Sequence, residues 1–79
     1  MATLRLFASA REAAGTSRDT VPGGTVAEVL RTATQRYGDA FAAVLDTCKV
    51  WVNGEEALPW QTVGDTDEVA VLPPVSGGA

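Results

Sequence analysis

The side chains of this 79-residue sequence that could do chemistry are few. They are one thiol, Cys48; the carboxylates Glu55-Glu56 and Asp65, Asp67 and Glu68; a late serine, Ser76; and a Gly77-Gly78 pair followed by Ala79. A thiol or hydroxyl nucleophile needs a base beside it, and histidine, the commonest base, does not occur in the sequence. Cys48 therefore reads as a small buried thiol and Ser76 as a hydroxyl without an activating partner. The carboxylates fall at predicted turns and read as solvated turn charges. What remains is the closing stretch VLPPVSGGA, residues 71–79. Such a tail is either filler or a working end whose carboxylate is the functional group, and the trailing Ala79 bears on both readings.

The bulk properties agree that catalysis is not the trade of this chain. A length of 79 residues fits one domain, near the lower limit for a core without disulfides or metal. A lone cysteine makes no internal disulfide, and without histidine the usual zinc sets are missing. Ten acidic residues against six basic ones, net −4, repel phosphate backbones and argue against nucleic acid as a partner. The apolar fraction of 46 % fills a small core, yet no apolar run is long enough to cross a bilayer, and MATLRLFAS lacks the pattern of a signal peptide. The expected location is the cytoplasm, with no membrane partner and no bound metal.

The elements that must carry the closing stretch follow from periodicity. Residues 3–8 alternate, with Leu4, Leu6 and Ala8 on one side and Phe7 on the other, which predicts a strand. Residues 9–16 read as a loop with at most a helical turn at Arg11, Glu12 and Ala13, and residues 17–21 as a second strand ended by Pro22-Gly23-Gly24. Thr25 and Glu28 have the spacing of a capping box, and Val26, Val29, Leu30, Ala33 and Tyr37 form one helical stripe up to Gly38. Residues 40–45 could add a short helix. Residues 49–53 alternate into an Asn53-Gly54 turn, and after an irregular stretch with Leu58, Pro59 and Trp60, residues 68–72 form the last strand. One amphipathic helix covers one face of a small sheet, so the expectation is a two-layer α+β fold. Its inward set is Leu4, Leu6, Val50, Val52, Val69 and Val71; Phe7, Trp51, Ala70 and Leu72 face outward as an apolar patch.

This order of elements, with LRLFASAREAAG at residues 4–15 and GDTDEVAVLPPVSGG at residues 64–78, resembles the β-grasp sulfur carriers of the ubiquitin-like superfamily, the MoaD and ThiS type. The resemblance is strongest to the MoaD branch, small subunits of molybdopterin synthase. It implies a single β-grasp domain over residues 1–79: a small mixed sheet, one main helix packed on one face, and residues 73–79 as an extended, flexible tail. It also implies a mechanism. An E1-like adenylyltransferase similar to MoeB joins the terminal glycine to AMP, using ATP that this chain does not itself bind. A persulfide donor then displaces AMP to leave a thiocarboxylate. That sulfur passes to a pterin precursor in a large subunit similar to MoaE, within a heterotetrameric synthase, for molybdenum cofactor biosynthesis.

By the same resemblance Gly78 is the adenylated and thiocarboxylated residue, while Gly77, Ser76, Val75, Pro74 and Pro73 thread the partner's channel. Phe7, Arg11, Leu58, Trp60 and Leu72 form the partner-binding surface. The prolines stiffen the exit and reduce the entropy lost on docking. Ala79 departs from the family pattern, which ends at the second glycine; the favoured expectation is that a processing protease removes it, beside an activating enzyme that tolerates alanine or a chain idle in this form. Carriers for thiazole (thiamine) or cysteine synthesis share this fold and tail, as does a ubiquitin-like modifier conjugated to lysines, and both stand as alternatives.

Overall fold

Alternation of Leu4 and Leu6 with Thr3 and Arg5 builds β1 (Ala2–Leu6), whose residues run buried, half-buried, buried along the strand. The computed structural model, which describes residues 1–74, continues with α1 (Ala8–Ala14), β2 (Arg18–Val21), α2 (Val26–Tyr37), α3 (Asp39–Leu45), β3 (Lys49–Val52), β4 (Glu55–Glu56) and β5 (Glu68–Leu72). The strands form one mixed sheet in the order β2-β1-β5-β3-β4. β5 lies in its middle, parallel to β1 on one side and antiparallel to β3 on the other. This is the ubiquitin-like β-grasp arrangement that the sequence led us to expect.

Register decides which side chains meet. Val69 is opposite both Leu4 and Val52, and Val71 is opposite both Leu6 and Val50. These rows face the helices: Leu4, Leu6, Val69 and Val71 are fully buried against Val26, Val29 and Ala33 of α2 and Phe41 of α3, with Val52 beside them. Val50 is half-buried at the margin of the same core. Burying a valine or leucine side chain contributes about 1.5–3 kcal/mol. The central strand, sealed on both of its neighbours' rows, is thus the best-anchored part of the sheet.

The α2 stripe and its cap match their sequence pattern. Thr25 Oγ1 accepts from the Glu28 N–H at 3.2 Å, and Glu28 Oε1 reaches back to the Gly24 N–H at 2.7 Å, one residue earlier than in the standard box. At its other end Tyr37 donates its hydroxyl proton to Asp19 Oδ2 at 2.5 Å, and Arg36 Nη1 bonds the same oxygen at 3.0 Å. This cluster ties α2 to edge strand β2. Asn53 and Gly54, both at positive φ, make the two-residue hairpin loop between β3 and β4.

Three expectations need correction. Residues 9–16 are not a loop: Phe7 leaves the strand as the N-cap of α1, its carbonyl accepting from the Ala10 and Arg11 N–H groups. Ala10 is fully buried and α1 packs on α3, so tertiary contact supplies what an alanine-rich segment does not announce. Ala8 accordingly belongs to α1 and not to the first strand. The short helix allowed at residues 40–45 is present as α3, anchored over the sheet by Phe41, and α2 is the main helix at 12 residues. Glu55 and Glu56 are not turn residues; they form β4, an exposed edge strand whose charges suit an unpaired border.

Candidate functional site

β5 ends at Leu72, and the chain leaves the sheet there as Pro73 and Pro74. Two elements bracket this exit. On one side the Phe7 N–H donates to the Val71 carbonyl at 3.3 Å; on the other, Lys49 is paired with Leu72. Because side chains alternate, the face away from the helices carries Arg5, Ala70 and Trp51 in one row, with Leu72 and Lys49 in the next. The Arg5 guanidinium lies 5.5 Å from the centre of the Phe7 ring and within 3.5 Å of Glu68 Oε2. Thr47, Lys49, Trp51, Leu72, Pro73 and Pro74 line a groove of about 350 Å³ that opens at the root of the tail.

The site residues expected from the sequence divide between two places. Phe7, 38 % exposed, and half-buried Leu72 sit together at the exit, and exposed Arg11 is one helical turn beyond Phe7, its N–H donating to the Phe7 carbonyl. Pro73 is half-buried and Pro74 exposed in the groove wall. Leu58 and Trp60, 54 % and 71 % exposed, are on the loop after edge strand β4. That loop is pinned to the start of α2, where the Ala27 N–H donates to the Pro59 carbonyl and the Val26 N–H to the Gln61 carbonyl. Val75, Ser76, Gly77, Gly78 and Ala79 lie outside the described residues. Sequence reading placed Trp51 outward but passed over it, with Lys49 and Thr47, as groove residues; only the β3–β5 register brings these three to the exit.

The thiol and the turn carboxylates are each held by their surroundings. Burial pushes the Cys48 thiol up, and its sulfur donates to the Val44 carbonyl at 3.2 Å. The turn carboxylates are held by hydrogen bonds. Asn53 Nδ2 and the Gly64 N–H hold Asp67 below the usual carboxylate range, and the Met1 amino group does the same for Asp65. Among the described residues, no three histidine, cysteine, aspartate or glutamate side chains gather as a metal-binding group, and no helix is long and apolar enough to cross a membrane. The arrangement presents a stiff strand end beside an apolar groove.

A model of the ThiS family matches residues 4–78. The fold is similar to small archaeal modifier protein 1 from Haloferax volcanii, at 33 % identity over 96 % of this chain and 97 % of that one, with a TM-score of 0.79. It is similar to small archaeal modifier protein 1 from Methanosarcina acetivorans, at 30 % identity over 98 % and 95 % of the two chains, TM-score 0.88. It is also similar to a Pyrococcus furiosus protein assigned as subunit 1 of molybdopterin converting factor, at 25 % identity over 94 % and 97 %, TM-score 0.80. No curated protein matches this chain.

Proposed function

This chain belongs to the ThiS family, and we propose that it carries sulfur as a thiocarboxylate on Gly78 for delivery to a pterin precursor in molybdenum cofactor synthesis. The pterin as acceptor rests on the resemblance of residues 4–15 and 64–78 to the MoaD branch. One observation supports Gly78 as the carrier position: the family match runs through the tail to residue 78, so Gly77-Gly78 belongs to the matched pattern. The strand geometry is consistent with it. β5 is hydrogen-bonded on both sides up to its end, so a partner that grips the groove at Trp51 and Leu72 fixes where the tail starts.

The chemistry takes place in partners. Cleavage of the peptide bond after Gly78 frees its carboxylate. An E1-like enzyme joins that carboxylate to AMP from ATP, releasing pyrophosphate. The outer sulfur of a persulfide donor attacks the acyl carbon and AMP leaves, giving an acyl disulfide. A second thiol of the donor then cleaves its S–S bond, becoming part of a disulfide and releasing the thiocarboxylate. A MoaE-like large subunit then takes the sulfur. The chain itself is a carrier and not the catalyst.

The test is reconstitution of the version ending at Gly78 with an E1-like enzyme, ATP and a sulfur donor. The expected product is heavier by the mass difference between sulfur and oxygen, and it converts a pterin precursor to a dithiolene when a MoaE-like subunit is added. Sulfur delivery to thiazole or cysteine synthesis, with none to the pterin, refutes the molybdopterin branch. A second reading, conjugation of Gly78 to protein amines, is favoured by the two archaeal modifier proteins at 30–33 % identity, against 25 % for the molybdopterin-type protein. It predicts covalent adducts of higher mass in place of the thiocarboxylate.

A further inference from the structure

Of the six basic residues in the sequence, five are arginines and Lys49 is the lysine. A guanidinium stays protonated and is a poor nucleophile, whereas an amine attacks acyl groups once it sheds a proton. Lys49 also stands in a particular place. It is paired with Leu72 at the end of β5 and lines the groove with Trp51, Pro73 and Pro74. Its side chain is 69 % exposed and, among the described residues, makes one ion pair, a 3.7 Å contact with Glu56 Oε2, a weak surface pair.

We infer that Lys49 is the acceptor through which an activated copy of this chain becomes joined to a second copy, so that self-conjugates carry a single linkage. The inference rests on the reading that the tail is activated at Gly78. The donor is another copy because Pro73 and Pro74 fix their own φ and stiffen the exit, which opposes a tight return onto the neighbouring Lys49 of the same chain. In the step, Lys49 Nζ attacks the Gly78 carbonyl carbon of the donor and a C–N amide bond forms. The bond to the leaving group breaks, AMP or a thiolate departs with the electron pair, and the nitrogen gives one proton to water or to the Glu56 carboxylate. No oxidant or reductant is needed.

The test separates this inference from the carrier reading by making the activated donor chemically. A Lys49→Arg chain ending at Gly78 as a thioester is mixed with the full 79-residue chain, in which Gly78 is in a peptide bond and cannot be activated. The expected result is a covalent dimer whose branch maps to Lys49, with complete loss of dimer when the acceptor is itself Lys49→Arg. A branch at another amine, an equal yield from the Lys49→Arg acceptor, or no dimer while the same thioester acylates a small primary amine would overturn the inference. None of these results bears on thiocarboxylate formation by the activating enzyme.

Discussion

Gly23 closes the turn from β2 into α2 at φ +150°, and a methyl group placed on it would lie 2.8 Å from the backbone nitrogen of Val29. Val29 cannot retreat: it is fully buried, and its N–H is bonded to the Thr25 carbonyl at 3.0 Å. Gly23→Ala therefore forces a near-glycine-only conformation, costing about 1–3 kcal/mol. It also displaces helix backbone, costing about 1–3 kcal/mol more. A domain of this size has roughly 4–12 kcal/mol in all. With a urea slope of about 1 kcal/mol per molar, the unfolding midpoint should fall by about 2 M or more. Gly24→Ala is the control, because its new methyl group meets only Glu28 Oε1, the end of a flexible side chain, at 3.4 Å. Its effect should stay within about 1 kcal/mol. Urea titration by circular dichroism measures both, and equal midpoint shifts in the two variants would refute the steric argument.

Three further outcomes are expected. Phe41→Ala removes a fully buried ring in edge-to-face contact with Tyr37, centroids 5.2 Å apart, and should cost about 3–5 kcal/mol in the same titration. Burial and the Asp19 carboxylate push the Tyr37 hydroxyl up to about 12 from its ordinary 10. The stability it contributes is complete below pH 10 and lost as pH rises from 10 to about 12; Tyr37→Phe should flatten that part of the stability profile and raise the depressed Asp19 carboxyl, whose largest support is this hydroxyl. Trp51→Ala should leave the fold intact and raise the KM for the chain in adenylation by about ten-fold or more, the loss of roughly 1.4 kcal/mol or more of groove contact. The same change at exposed Trp60 separates the two surfaces: an unchanged KM places the activating enzyme on the groove and not on the loop.

Where side chains alternate or repeat at a helical period, the chain states its own structure. Leu4 and Leu6, the Val26–Val29–Ala33 stripe, the Thr25–Glu28 cap and the Asn53-Gly54 turn are local signals, each backed by one-sided burial or turn chemistry. The segment ASAREAA of α1 has no such signal. Its residues are mostly small, it has no side-chain cap, and it is held by packing on α3, a contact between residues far apart in the chain. α3 is equally quiet, because the one side chain that fixes it, Phe41, looks like any other apolar residue among alanines. The exit groove is a property of register: nothing local in Lys49 or Trp51 says that residue 72 will lie beside them.

The parallel pairing of β1 with β5 has a mechanical consequence. A pull on the tail loads the far end of β5, while a restraint at the start of β1 acts at the opposite end of the neighbouring strand. The two strands are then sheared past each other, and the hydrogen bonds along their shared ladder bear the load together instead of opening one by one like a zip. A motor or channel that tugs the tail meets the strongest direction of the sheet, so the body can be towed by its end without being unravelled.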